Sequence, residues 1–124
     1  MNQSFIDQVH YIRIPVRNLE TASVWYKDVL GFQLLSITHD PFAIMKVNEG
    51  PLLIILVPTT EATYAHFSVN GESAFCVGFT SPKLQEFHQH LSEQGVKVEE
   101  IKEDNGHAYF YFYDPDGNQL QAHW

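Results

Sequence analysis

At 124 residues, with 44% hydrophobic and 14% aromatic side chains, the chain has the make-up of one packed domain or of two small halves sharing an interface, and disorder is excluded. Seven Lys plus Arg against fifteen Asp plus Glu give a formal net charge of −8 with no basic cluster to offset it, so neither nucleic acid nor an anionic membrane surface is an expected partner. The lone Cys76 excludes an internal disulfide and any CxxC motif.

Residues 1–7 lack the charged and apolar regions of a signal peptide, and the longest apolar run, residues 52–57, is too short to span a bilayer, so a soluble cytoplasmic protein is expected. Val9, Tyr11, Ile12, Ile14 and Val16 then read as a β-branched and aromatic strand. Asn18 is placed to cap a helix whose apolar face runs through Leu19, Ala22, Tyr26, Val29 and Leu30, with Gly31 as its stop. Three strands follow at residues 32–39, 42–47 and 52–57, separated by turns at Asp40-Pro41 and Asn48-Glu49-Gly50-Pro51. A polar connection at residues 58–73 ends this first half.

The second half repeats the order. Residues 75–79 form a strand, Ser81 is the expected N-cap with Pro82 at the first helical position, and Leu84, Phe87 and Leu91 form the buried stripe of a helix that Gly95 closes. Strands are expected at residues 96–101, 107–113 and 119–123, with Asp114-Pro115-Asp116-Gly117-Asn118 as a turn between the last two. Ile12 maps onto Val77, Ile14 onto Phe79 and Leu19 onto Leu84, each 65 positions on, which is the mark of a duplicated unit.

Three stretches carry a family resemblance: Tyr11-Ile12-Arg13-Ile14-Pro15-Val16-Arg17-Asn18-Leu19-Glu20, Trp25-Tyr26-Lys27-Asp28-Val29-Leu30-Gly31-Phe32, and Phe112-Tyr113-Asp114-Pro115-Asp116-Gly117-Asn118. With them in this order, the chain resembles the vicinal oxygen chelate superfamily of glyoxalase I, extradiol dioxygenases and bleomycin-resistance proteins. The resemblance implies an α+β fold of two βαβββ half-units, at residues 8–58 and 73–124 with a connection at 59–72. They form a curved mixed sheet with helices on the convex face and a ligand cup on the concave face.

In metal-dependent members, four strands each point a His, Glu or Gln into that cup, and the ion acts as a Lewis acid. Counting from Leu19 puts the first of these positions at Tyr11, and the repeat puts its counterpart at Cys76. The position three residues after Asn118 is Gln121, and aligning Gly50 with Gly117 puts its first-half counterpart at Ile54. Tyr, Ile, Cys and Gln are a poor donor set for a hard divalent ion, so no resident metal or other cofactor is expected.

Strand alternation assigns the side chains to faces. His10, Ile12, Ile14 and Val16 point to the helix, while Tyr11 and Arg13 point to the cup; in the later strands His107, Tyr109 and Tyr111 share a face, as do Gln121 and His123. Arg13 either meets a carboxylate of the facing half or awaits an anionic ligand. Tyr11, Tyr109, Tyr111 and Trp124 offer flat apolar bodies with polar tips, suited to an aromatic or amphipathic small molecule. Cys76 is expected to be a packed, inert thiol. His39, His66, His88 and His90 are expected at the solvent surface.

The expected function is small-molecule binding of the glyoxalase and bleomycin-resistance type, by a homodimer. The alternative is a metal-dependent lyase, isomerase or dioxygenase whose single divalent ion is held by displaced ligands from His107, His123, Gln121 or His10. A non-catalytic subunit that pairs with another protein is a third reading. Whether the half-units pair within the chain or across two copies is left open by the sequence, as is enzymatic activity itself.

Overall fold

A computed structural model describes residues 4–124; the leader reading falls partly on residues 1–3, outside the described residues. In β1 (Tyr11–Val16) the apolar alternation takes effect directly, with Ile14 and Val16 buried while Tyr11 and Arg13 stay exposed. The Asn18 side chain accepts a hydrogen bond from the Thr21 amide at 2.9 Å and starts α1 (Leu19–Asp28), which buries Ala22, Ser23 and Tyr26. An N-cap of this kind contributes about 1 kcal/mol, so Asn18→Ala is expected to lower the urea unfolding free energy by that amount. An unchanged midpoint would show that the cap is dispensable.

After Gly31, at φ 78°, come β2 (Gln33–Ile37), β3 (Ala43–Lys46) and β4 (Leu53–Pro58). The first sheet has the order β1-β4-β3-β2, with β1 parallel to β4 and the other pairs antiparallel. The connection is not the plain loop that its polarity suggests. It contains a hairpin of β5 (Phe67–Val69) and β6 (Glu72–Ala74), turned by Asn70 and Gly71 at φ 52° and 81°. Positive φ at both central residues is the type I′ requirement, and Asn-Gly is the pair that best meets it.

β7 (Val77–Thr80), α2 (Leu84–Glu93), β8 (Lys102–Asp104), β9 (His107–Tyr113) and β10 (Gln119–His123) form the second half, in the order β7-β10-β9-β8. Both sheets thus have the same strand order, as the internal repeat implies. Two local expectations are corrected. α2 starts at Leu84 after a turn, its N-cap position is Lys83 with no side-chain cap, and Ser81 instead donates its amide to the His123 carbonyl at 2.9 Å. The strand expected at residues 96–101 is displaced to Lys102–Asp104, because the tight Asn105-Gly106 turn dictates which residues pair with the start of β9. Val98 keeps a single bridge to Phe112.

The helix-packed faces of both sheets share one core. Ile14, Val16, Ile54 and Leu56 come from the first sheet, Phe110, Phe112, Leu120 and Ala122 from the second, and Phe32 meets Phe79 between them at 5.6 Å. No strand of one sheet pairs with a strand of the other among the described residues. The halves are joined instead by the turn that follows β9. Asp114 accepts from the Tyr26 hydroxyl at 2.7 Å, and Asn118 donates through Nδ2 to the Pro15 carbonyl at 2.9 Å while its Oδ1 accepts from the Ala65 amide at 2.7 Å. Both side chains are buried. His90, expected at the surface, donates to the Val29 carbonyl at 2.8 Å and ties α2 to the end of α1. His88 is likewise partly buried, donating to the Glu99 carbonyl at 2.9 Å with its ring edge-on to Phe110.

Candidate functional site

Each sheet buries one face and leaves the other open. On the first sheet the open face carries Tyr11, Arg13 and Pro15 of β1, in register with Leu53, Ile55 and Val57 of β4. Ile54 is corrected here: it lies opposite Ile12, is fully buried, and belongs to the core face with Leu56, so it does not line the open face. The Arg13 guanidinium lies 5.4 Å from the Phe42 ring centroid. The one ion pair among the described residues is Lys46 with Glu49, so Arg13 has no carboxylate within salt-bridge distance. His10, just before β1, is exposed and stands edge-on to Tyr11.

The second open face is more aromatic. His107, Tyr109, Tyr111 and Tyr113 alternate with the buried Phe110 and Phe112 along β9, and Gln121 lies opposite Tyr111 while His123 lies opposite Tyr109. Tyr109 and Tyr111 are 5.7 Å apart, Phe75 adds a ring 5.8 Å from Tyr111, and Lys102 Nζ sits 5.5 Å over Tyr111. Gly78, opposite Gln121, makes room for this layer: a Cβ there would be 3.1 Å from Gln121 Oε1 and 3.4 Å from Phe75. Phe75, Lys102 and Phe42 were not anticipated as part of these faces; the twofold period of the flanking strand would have placed Lys102, but the wrong strand bounds hid it.

His107 Nε2 and His123 Nδ1 are 2.8 Å apart, so one carries the proton that the other accepts. Tyr113 donates to Glu99 Oε2 at 2.5 Å; burial first, and then this bond, raises its hydroxyl above the usual phenol value. Trp124 is corrected. Its parity places it on the helix side, where it borders Pro82, Leu84 and Ala108 rather than the tyrosines. Cys76 is corrected too, being exposed rather than packed.

Among the described residues no three His, Cys, Asp or Glu side chains converge in a metal-holding group. Tyr11 is a phenol, Ile54 faces the core without a donor atom, Gln121 is neutral, and the facing nitrogens of His107 and His123 are engaged with each other. These residues do not suit a resident divalent ion. A cavity of about 790 Å³ lies elsewhere, at the junction of the two halves beside Trp25, Tyr64 and Lys97. Among the described residues no helix is long and apolar enough to cross a membrane.

Comparison with known proteins matches this architecture. YwkD of Bacillus subtilis (strain 168) is 26% identical over 128 residues, covering 95% of this chain and 97% of its own. The glutathione transferase FosA of Serratia marcescens is 24% identical over 126 residues, covering 95% and 81%. The solved structure of TnmS3, an antibiotic binding protein from Streptomyces sp. CB03234, superposes with a TM-score of 0.81 at 22% identity, covering 97% of each chain. Residues 8–122 match the model of the Glyoxalase/Bleomycin resistance protein/Dioxygenase superfamily, and the chain belongs to that superfamily.

Proposed function

We propose that this protein is a cytoplasmic, metal-independent binder of small organic anions with an aromatic or amphipathic body. The observation that carries the reading is Arg13, an arginine on an open face with an aromatic neighbour and no carboxylate partner among the described residues. In a chain of net charge −8 an acidic partner is easy to supply, and an unpaired guanidinium is well shaped for a carboxylate or other oxyanion. Tyr109, Tyr111 and Phe75 supply flat apolar surface, and Gln121 and His123 supply polar contacts. The name of TnmS3 as an antibiotic binding protein supports a binding role.

The two open faces lie on the outer sides of a shared core, so a closed cup needs a second copy. β1 and β7 are unpaired edges, and Phe5, Ile6, Val9 and Tyr11 expose apolar surface beside the first of them. The reading is therefore a homodimer in which the first-sheet face of one copy meets the second-sheet face of the other.

A second reading is favoured by one feature, the His107–His123 hydrogen bond, which would give an enzyme an acid–base pair next to Tyr109. A thermal-shift panel of aromatic acids and glycopeptide-like compounds tests the first reading, with the oligomer measured by sedimentation. At least one acid is expected to stabilise a dimer, and Arg13→Met is expected to weaken that acid about tenfold, which corresponds to about 1.4 kcal/mol. Undiminished affinity in Arg13→Met, or a monomer that binds equally well, would overturn it.

A further inference from the structure

The junction cavity is separate from the open face bearing Arg13 and has its own chemistry. Its volume of about 790 Å³ is in the range of small-molecule sites. One wall is a parallel stack of Tyr64 on His66, with centroids 4.7 Å apart and planes 16° from parallel. Tyr64 is held there by close approach to Gly117, where a Cβ would stand 3.4 Å from its ring. The other walls are Trp25 on α1 and Tyr113, over whose ring Lys97 Nζ lies at 4.4 Å.

Two of the polar side chains lining this cavity, His66 and Lys97, can donate. The Gln119 amide donates to His66 Nδ1 at 2.9 Å, so a neutral His66 carries its proton on Nε2. Lys97 brings a positive charge with no carboxylate within salt-bridge distance among the described residues. The carboxylate in the lining, Asp114, is already committed to the amides of Asp116 and Asn118, the Asn118 side chain and the Tyr26 hydroxyl. Behind the wall, Gln119 donates through Nε2 to the Tyr113 hydroxyl at 3.1 Å, and its Oε1 is buried without a partner. An orphaned acceptor there is destabilising unless a donor reaches it.

We propose that this junction cleft is a second binding site, taking a planar aromatic molecule with one anionic group: the ring lies against Tyr64 and Trp25, and the anion meets Lys97 and His66 Nε2. The site is complete within one chain and needs no second copy.

The test uses the full chain, 15N-labelled, titrated with 2-naphthoate and with the neutral 2-naphthalenemethanol. Trp25 and Trp124 give two indole N–H signals, and Trp124 lines a different pocket from the cleft. The Trp25 signal is expected to move with 2-naphthoate while that of Trp124 stays, and the alcohol is expected to bind at least tenfold more weakly. Lys97→Met is expected to reduce the 2-naphthoate affinity read at the Trp25 signal tenfold or more, and Tyr64→Ala to do the same. Lys97 and Tyr64 are exposed, so both variants should fold, and their spectra check it. A static Trp25 signal, equal binding of acid and alcohol, or undiminished affinity at the Trp25 signal in Lys97→Met would overturn the proposal.

Discussion

Asn118→Ala is expected to cost about 3–5 kcal/mol of unfolding free energy, a large share of the 5–15 kcal/mol typical of a natural domain. The side chain is fully buried and spans three segments, with its amide group divided between the Pro15 carbonyl, the Ala65 amide and the Asp114 carboxylate. Alanine would strand a carbonyl from the first half and an amide from the connection, and would take one donor from a buried carboxylate. Each unmet group is worth about 1–3 kcal/mol. Urea unfolding at neutral pH gives the number directly. A loss under about 1 kcal/mol would mean that water or local rearrangement replaces these bonds, and that the turn does not hold the halves together.

The same turn is expected to set the alkaline limit. Tyr26 is held well above the ordinary phenol value, first by burial, then by the negative charge of Asp114 and the hydrogen bond to it. The folded protein therefore keeps this proton at pH values where the unfolded chain, with a tyrosine pKa of about 10, releases it. Stability is whole below pH 10 and falls as the pH climbs towards the folded value, at about 1.4 kcal/mol per pH unit for one proton. From pH 9.5 to 11.5 the loss from Tyr26 alone is about 2 kcal/mol, and Tyr113, raised by burial and by Glu99, adds to it. Tyr26→Phe is expected to be less stable at pH 7 but to show a flatter alkaline limb. Parallel limbs for the two proteins, in unfolding curves measured across that range, would refute the assignment.

What the sequence made legible was periodicity, and what it hid was register and tertiary partnership. The alternation in β1, β9 and β10 put Arg13, Tyr109, Tyr111, Gln121 and His123 on the open faces, where the structure has them. Aligning Gly50 with Gly117 puts Ile54 on the wrong face, because a one-residue slip along a strand swaps its faces. Trp124 was placed with the tyrosines although its parity opposes theirs. The Asn70-Gly71 and Asn105-Gly106 pairs were strong hairpin signals, and the apolar Val96, Val98 and Ile101 outweighed the second of them while packing mainly as loop. His88 and His90 gave no local sign that they bind backbone carbonyls, and the Asp114–Asn118 turn gave none that its side chains reach across to Tyr26 and Pro15.

Odd and even positions of β9 answer to different demands. Phe110 and Phe112 are committed to holding the molecule together, while Tyr109 and Tyr111 contact little that the fold requires. Exchange at the odd positions can alter the chemistry of the open face without endangering the scaffold, so one backbone can carry many different surfaces by changing every second residue of a single strand.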